Sequence, residues 1–195
     1  MQLIGTLAPE RPLLVMALRE EAQGYDYDLP LLLTGPGKVN AAAALATVLA
    51  RGPNPSRVIN LGTAGALRAG CTGTHVVSRV IQHDLDSESL RQLTGKSYGA
   101  PIAVADQDGA TLATGDIFVS DPVVRARLAA RATLVDMEGY ALAAVSHQAR
   151  VPISIIKHVS DQADEGAVRT WREATTESAR ALSDWIAANL ANEQP

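Results

Sequence analysis

The chain has 195 residues, of which 47% are hydrophobic, and this supports one domain over residues 1–195 with a sizeable core. Seventeen Lys and Arg against 21 Asp and Glu give a formal net charge of −4 without a basic block, which excludes the electrostatic footprint of a nucleic-acid binder. Cys71 is the only cysteine, so an intrachain disulfide is excluded and a reducing compartment is favoured.

Neither the first residues nor the apolar runs indicate targeting or a membrane. Residues 1–6 lack the basic segment and apolar run of a signal peptide. The longest apolar runs, such as 29–33 and 152–156, are too short to cross a bilayer. We expect a cytoplasmic protein whose partner is a small molecule, with no nucleic-acid or membrane partner.

Short β-rich runs alternate with alanine-rich stretches of helical length, a pattern that predicts an α/β layered fold. We predict strands over 13–18, 29–33, 57–61, 75–82, 102–105, 111–113, 134–136 and 153–159. We predict helices over 39–50, 122–132, 137–149 and 168–190. The helix at 122 has Ser120 or Asp121 as its cap and proline in its first turn. Residues 84–99 are polar and irregular, as in a surface loop that closes over a pocket.

Two glycine-rich segments follow predicted strands. Gly62-Thr63-Ala64-Gly65 is predicted as a turn whose free backbone amides can hold an anion, a sugar oxygen or a water, although an ordinary tight turn explains it equally well. Gly35-Pro36-Gly37-Lys38 opens the helix at 39 and is more simply a strand-to-helix connection.

Carboxylates lie at the ends of three predicted strands. Glu20-Glu21 follows the first apolar run, Asp136-Met137-Glu138 begins a helix, and Ser160-Asp161 ends the last strand. Each alone is typical of a helix dipole partner, a cap or a turn. Together they provide what an enzyme needs to bind a sugar, protonate a leaving group and activate water.

Six segments carry a resemblance to a known family, and they occur in that family's order. They are Ala17-Leu18-Arg19-Glu20-Glu21, Gly35-Pro36-Gly37-Lys38-Val39-Asn40-Ala41-Ala42, Asn60-Leu61-Gly62-Thr63-Ala64-Gly65, Thr114-Gly115-Asp116-Ile117-Phe118-Val119, Val135-Asp136-Met137-Glu138 and Val159-Ser160-Asp161-Gln162-Ala163-Asp164. The sequence resembles the nucleoside phosphorylase superfamily and, within it, the 5′-methylthioadenosine/S-adenosylhomocysteine nucleosidases.

The resemblance implies a three-layer αβα fold with a central mixed sheet, and it implies roles for three carboxyl groups. Asp161 would share a proton with N7 of a bound adenine, and Glu138 would accept hydrogen bonds from the ribose hydroxyls. Glu21 would bind and deprotonate the attacking water. Asp161 must then hold a proton near neutral pH, which requires a pKa raised by burial or by a neighbouring carboxylate such as Asp164.

The resemblance also implies the residues that bind the substrate. Phe118 would stack on the purine, the backbone of Val119 would meet its Watson–Crick edge, and Met137 would pack under the ribose. Trp171 falls where the family places an aromatic side chain over the ribose, although it could equally be a core residue of an amphipathic helix. The remaining expected contacts come from Thr63, Ala64, Gly65 and Ser160.

The nucleophile and the base are expected from the chemistry of these residues. Phosphate-using members of the family carry arginine in the nucleophile pocket, because a guanidinium pairs with phosphate. Here Asn60 precedes the glycine turn, and Glu21 repels phosphate and suits water. A carboxylic acid at Asp161 can donate to N7 of a 6-aminopurine, so adenine nucleosides are the expected substrates.

Two alternatives stay open beside hydrolysis. A phosphate-dependent purine nucleoside phosphorylase is the nearest one, and a catalytically inactive nucleoside-binding module is the second. Shortening at 22–30 and ahead of Thr111 favours the second, whereas Glu21, Glu138 and Asp161 together favour an enzyme. We expect no cofactor and no metal, since the four histidines lack ligand spacing, and a homodimer in which a neighbour completes the shortened pocket.

Overall fold

The computed structural model describes residues 1–25, 28–105 and 108–190, apart from the side chains of Arg169 and Arg172. Asp26 and Tyr27, in the segment expected to be shortened, lie outside the described residues. The strands are β1 Gln2–Ile4, β2 Leu13–Met16, β3 Leu31–Leu33, β4 Val58–Ala66, β5 Thr74–Gln82, β6 Ile102–Ala103, β7 Ala110–Thr114, β8 Leu134–Asp136 and β9 Ile153–Asp161. The α-helices are α1 Lys38–Arg51, α2 Ser87–Thr94, α3 Pro122–Ala129, α4 Gly139–Ala149 and α5 Ala167–Leu190, and a 3-10 helix, Arg19–Ala22, follows β2.

The nine strands form one mixed sheet in the order β1-β3-β2-β4-β8-β7-β5-β6, and β9 pairs with both β4 and β5. Strands β4, β8, β7, β5 and β9 therefore pair in a closed circuit. Strand β9 runs parallel to β4 and antiparallel to β5. This circuit places the last residues of β8 and β9 beside the second half of β4.

Side-chain alternation along β2 divides the core into two layers. Leu13 and Val15 pack with α1 and α4 on one face of the sheet, where Leu45 and Leu142 are buried. Leu14 and Met16 pack on the other face with Leu182, Ile186 and Leu190 of α5. Because successive residues of a strand point to opposite faces, a continuously apolar strand must be covered on both sides. The result is helix, sheet and helix, which confirms the expected three-layer αβα architecture.

The predicted helices at 39, 122 and 168 are present with small shifts at their ends. Asp121 caps α3 by accepting hydrogen bonds from the backbone N–H groups of Val123 and Val124, at 2.7 and 3.1 Å. Helix α4 starts at Gly139, so Met137 and Glu138 precede it rather than form its first turn.

Two predictions of local structure are wrong. Residues 62–65 are not a turn, because β4 continues to Ala66 and pairs with β9 on one side and β8 on the other. Strand β9 runs slightly beyond its predicted end at 159 and includes Ser160 and Asp161. Pairing with neighbouring strands outweighs the local preference of glycine for turns.

Residues 84–99 are not an irregular loop either, since they contain α2. Asp86 caps this helix by accepting a hydrogen bond from Ser89 N, and Gly95 ends it in the left-handed conformation at φ 69°. None of its residues is buried, and only Leu90 and Leu93 are apolar, so the segment lacks the run of core residues by which a helix is recognised in a sequence. Strand β1 was missed for the same reason, because all three of its residues are exposed.

Candidate active site

One cavity of about 300 Å³ brings together every residue expected at the site. It opens beside the second half of β4 and the ends of β8 and β9. The expected residues that line it are Glu21, Thr63, Ala64, Gly65, Phe118, Val119, Met137, Glu138, Ser160, Asp161 and Trp171. The lining also includes Ala17, Leu18, Pro36, Ile117, Val135, Asp136 and Val168, which were not expected there.

Glu21 is held against the backbone of β4. Its side chain is buried, and Oε1 accepts hydrogen bonds from Thr63 N at 2.8 Å and Thr63 Oγ1 at 2.9 Å. Oε2 accepts a longer bond from Leu18 N at 3.2 Å. A Cβ atom at Gly62 would lie 3.2 Å from Glu21 Oε1, so the absence of a side chain there lets the carboxylate approach the strand.

Glu138 lies at the end of the connection from β8 to α4 and is 8% exposed. Its Oε1 accepts a hydrogen bond from Gly37 N at 2.8 Å. Gly37 has φ 91°, a backbone conformation that favours glycine, so the turn before α1 is shaped to aim this amide at the carboxylate. The glycine segment 35–38 therefore has a contact in the site beyond its connecting role.

Burial raises the pKa of Glu138 to about 7, and the negative charge of Asp136 adds to this effect. Lys157 and the Gly37 amide act in the opposite direction. Glu138 therefore changes its charge near neutral pH in the ligand-free cavity.

Lys157 is the main residue that the sequence analysis missed. It is 1% exposed, and its Nζ forms an ion pair with Asp136 Oδ2 at 2.9 Å. Burial lowers the pKa of this lysine, but Asp136, Glu138 and Glu21 more than reverse that effect, so the pKa is raised overall. The sequence did contain a sign of this residue. Lys157 is a lone lysine directly after the apolar residues 155–156, in a strand that must be covered on both sides.

Asp136 completes this buried charge network. Its Oδ1 accepts from Thr114 Oγ1 at 2.6 Å, and its Oδ2 accepts from Gly139 N at 2.9 Å. A Cβ atom at Gly139 would lie 3.0 Å from Asp136 Oδ2, so a larger residue would crowd the carboxylate. With every oxygen engaged, Asp136 orients Lys157 rather than presenting a free acceptor to the cavity.

Asp161 lies opposite Gly65, where the pairing of β4 with β9 shifts register. Its Oδ2 accepts from Ser160 Oγ at 2.9 Å, and its Oδ1 accepts from Ala163 N at 2.8 Å. Burial raises the pKa of Asp161, the two hydrogen bonds oppose that rise, and Asp164 adds to it. The direction is the one that an acid working near neutral pH requires.

An irregular segment after β7 supplies the apolar side of the cavity. Val119 is buried, whereas Phe118 and Ile117 are 40% and 68% exposed. Val168 of α5 also lines the cavity and is 53% exposed. The cavity thus has charged groups at its base and an uncovered apolar rim, as expected of a site for a planar, partly polar ligand.

Asn60 does not line this cavity. Its side chain is buried, and its Nδ2 donates to Val15 O at 3.0 Å. Because β4 turns this side chain toward β2, Asn60 does not bear on the choice of nucleophile. Among the lining residues that the structure describes there is no arginine, and Lys157 is the cation beside the carboxylates.

In the part of the chain that the structure describes, no cluster of three or more His, Cys, Asp or Glu side chains is arranged to hold a metal ion. Within the same ranges, no helix is long and apolar enough to cross a membrane. Among the histidines, His158 is hydrogen-bonded through its Nδ1 to Thr74 Oγ1 at 2.9 Å.

The chain is similar in sequence and in fold to known proteins. The 5′-methylthioadenosine/S-adenosylhomocysteine nucleosidase of Staphylococcus carnosus is 32% identical over 189 residues, covering 84% of this chain and 82% of the relative. Among solved structures, futalosine hydrolase of Helicobacter pylori superposes with a TM-score of 0.81 at 20% identity, covering 94% of this chain and 98% of the other. The nucleosidase of Helicobacter pylori with butyl-thio-DADMe-Immucillin-A superposes at 0.79 and 21% identity, covering 94% and 98%.

These two structural likenesses establish the fold, and the relative at 32% identity extends the likeness to sequence. The family described as the phosphorylase superfamily matches residues 27–191. That range contains the described strands and helices from β3 to α5 and all but Glu21 of the expected site residues. The chain belongs to the phosphorylase superfamily.

Proposed function

We propose that this protein is a nucleosidase that hydrolyses the N-glycosidic bond of adenine nucleosides of the 5′-methylthioadenosine/S-adenosylhomocysteine type. The observation that carries the proposal is the convergence of Glu21, Glu138 and Asp161 on one cavity. The matched relatives bear the name of that activity.

The proposed chemistry gives each of these three groups a different role. Asp161 donates a proton to N7 of adenine while the bond from the sugar C1′ to N9 breaks and its electron pair goes to the base. Glu21 takes a proton from water, whose oxygen bonds to C1′. Glu138 accepts hydrogen bonds from the ribose hydroxyls and places negative charge beside the developing sugar cation.

The other lining residues shape the pocket around that substrate. Phe118 stacks on the purine, the backbone of Val119 contacts its edge, and Met137 packs under the ribose. Thr63, Ala64 and Gly65 line the sugar side along β4, where a Cβ atom at position 65 would lie 2.9 Å from Asp161 Oδ1. Ser160 supports Asp161 through the hydrogen bond between their side chains.

Water is favoured over phosphate as the nucleophile. The buried carboxylate of Glu21 repels a phosphate dianion, and the described lining residues provide no guanidinium to hold one. Lys157 is the nearby cation, and its ion pair with Asp136 occupies it. A phosphate-dependent phosphorylase is accordingly the disfavoured alternative.

The proposal is tested by incubating purified protein with adenosine, 5′-methylthioadenosine, S-adenosylhomocysteine and inosine, with and without phosphate, and separating the products by liquid chromatography. We expect free adenine and free sugar in both buffers, and little reaction with inosine. Glu21→Gln, nearly isosteric with wild type, should bind nucleoside but release no base. A sugar 1-phosphate formed only with phosphate would instead show a phosphorylase, and binding without turnover by wild type would show a binding module.

We also propose that the protein acts as a homodimer in the cytoplasm. Ile117 and Val168 line the cavity yet remain largely exposed, so a second copy would bury an apolar rim. Light scattering should give twice the mass of one chain, and activity per chain should fall on dilution below the dissociation constant. A monomer with full activity would contradict the dimer, and cell fractionation tests the compartment.

A further inference from the structure

Three side chains of the cavity form a hydrogen-bonded chain that crosses from α5 to the 3-10 helix. Trp171 Nε1 lies 3.0 Å from Thr63 Oγ1, and Thr63 Oγ1 lies 2.9 Å from Glu21 Oε1. The backbone N–H of Thr63 reaches the same glutamate oxygen at 2.8 Å. Thr63 is therefore the single residue that links the indole to the carboxylate.

The chemistry of the three groups determines which of them donates and which accepts in these two hydrogen bonds. An indole nitrogen can only donate, so the Thr63 oxygen must accept from Trp171. An ionised carboxylate can only accept, so the single Thr63 hydroxyl proton must point at Glu21. The indole N–H thus occupies the acceptor side of Thr63 and favours the rotamer that donates to the glutamate.

In this arrangement the two oxygens of Glu21 accept different numbers of hydrogen bonds. Oε1 accepts two short hydrogen bonds, whereas Oε2 accepts one longer bond from Leu18 N at 3.2 Å. Oε2 therefore keeps more acceptor capacity for the proton of a water molecule. Holding Oε1 in place on β4 also prevents rotation of the carboxylate about its last side-chain bond.

We propose that Trp171 is a positioning residue that acts through Thr63 to orient the water-activating carboxylate of Glu21. This inference rests on the hydrolytic function proposed above and extends it. It gives Trp171 a role that an aromatic ring alone cannot fill, because phenylalanine would pack similarly without donating. It also means that the nucleophile site is ordered only when α5 is packed against β4.

The kinetic test uses Trp171→Phe and Thr63→Val, each removing one link while keeping most of the shape. One hydrogen bond has a modest net effect, so we expect Trp171→Phe to lower kcat about three- to tenfold with KM near wild type. Thr63→Val should lower kcat at least as much, and Thr63→Ser should restore most of it. Adding Trp171→Phe to Thr63→Val should cause little further loss, because the link is already broken.

Trp185→Phe is the matched control, since Trp185 lies on the same helix and packs against the core cluster of α5. Its kcat and KM should stay near those of wild type. A higher KM with unchanged kcat in Trp171→Phe would overturn the proposal and leave Trp171 as a substrate contact. Fully additive losses in the double variant would equally overturn it.

A second readout separates this proposal from the hydrolytic function. In a proton–nitrogen correlation spectrum the two tryptophans give separate indole N–H signals, and Trp171→Phe assigns them. Thr63→Val should shift the Trp171 signal and leave that of Trp185 in place. An unmoved signal would show that the chain of contacts is absent. If the signal shifts but the protein releases no base, the proposed hydrolytic function is wrong. The hydrogen bonds between Trp171, Thr63 and Glu21 then have no catalytic role.

Discussion

Asp161 is buried and accepts two hydrogen bonds. Burial and hydrogen bonding affect its carboxyl group in different ways. Burial raises the pKa, while the donors from Ser160 and Ala163 hold the carboxyl group in one orientation. Ala163 adopts φ 49°, a conformation that non-glycine residues seldom take, and this brings its N–H to Asp161. The backbone strain is therefore located at the residue that orients the proposed acid.

Replacing Asp161 with asparagine should remove the transferable proton and keep the shape of the side chain. We expect kcat for adenine nucleosides to fall by about 10²- to 10⁴-fold, the usual range for one general acid. The melting temperature should change little or rise, because the variant no longer buries an ionisable group. Steady-state kinetics and thermal unfolding measure the two effects.

Asp164→Asn is the control for this substitution. Asp164 contributes only a secondary rise to the pKa of Asp161, and its own Oδ1 accepts from Gly166 N at 3.0 Å. Its kcat should stay within a few-fold of wild type. Equal losses in the two variants would show that general negative charge, rather than a proton on Asp161, matters for turnover.

Lys157 stabilises the buried carboxylates, and its removal should be costly. We expect Lys157→Met to lower the free energy of unfolding by about 3–5 kcal/mol, because one member of a buried ion pair is left alone. Activity should fall as well, since the charge of Asp136 would then raise the pKa of Glu138 without the opposing effect of Lys157. Denaturant unfolding and kinetics provide the measurements.

Adding Asp136→Asn to Lys157→Met is the matched comparison. The second change removes the unpaired charge, so part of the lost stability should return. The activity of the double variant should stay low if the active site requires the charged pair itself. A single Lys157→Met variant with wild-type stability would contradict a structural need for this ion pair.

At the scale of elements, an ion cluster joins three segments around the cavity. Lys38 begins α1, Asp84 follows β5, and Asp116 precedes the segment that carries Phe118. Lys38 Nζ pairs with Asp84, Asp84 Oδ2 accepts from Asp116 N at 2.9 Å, and Asp116 Oδ1 accepts from Lys38 N at 2.8 Å. The neighbouring Gly37 amide holds Glu138, so one cluster anchors both the Phe118 segment and the turn facing the ribose position.

Loosening this cluster should affect substrate binding more than chemistry. We expect Lys38→Met or Asp84→Asn to raise KM about three- to tenfold with a smaller change in kcat, because each removes a charge-assisted hydrogen bond from a partly exposed site. Glu88→Gln is the control, since it removes an exposed ion pair within α2. A lower melting temperature with unchanged KM would show that the cluster only stabilises the fold.

Ionisation of Glu138 should make the stability of the whole molecule depend on pH. Its pKa is about 7 in the folded protein and 4.5 as a free side chain, so the folded state binds more protons between these values. The stability that Glu138 contributes is therefore fully present below the lower value and is lost as pH rises through about 7. The raised pKa of Asp161 contributes in the same direction.

Thermal unfolding of the ligand-free protein from pH 5 to pH 8 tests this expectation. The melting temperature of wild type should decrease with pH over this range. Glu138→Gln should show a clearly weaker decrease, because glutamine does not ionise. Parallel curves for the two proteins would rule out Glu138 as the source of the pH dependence.

Short motifs in the sequence predicted most of the site residues. The roles of single buried residues could not be predicted in this way. The carboxylates Glu21, Glu138 and Asp161 were each identified beside a strand, because acidic residues next to apolar runs are visible in a linear sequence. Lys157 and Asp136 were not recognised as a pair, since their partnership depends on β9 and β8 meeting at β4.

By itself, the sequence indicated the family, the αβα layering and many of the residues that line the cavity. Apolar runs, helix caps and ordered motifs are local, so their physical causes are present in a few neighbouring residues. Only the tertiary structure decided that 62–65 is a strand, that Lys157 pairs with the buried Asp136, and that Trp171 reaches Glu21 through Thr63. Strand register and the net charge of a buried site depend on residues far apart in the chain, and folding is what brings them within bonding distance.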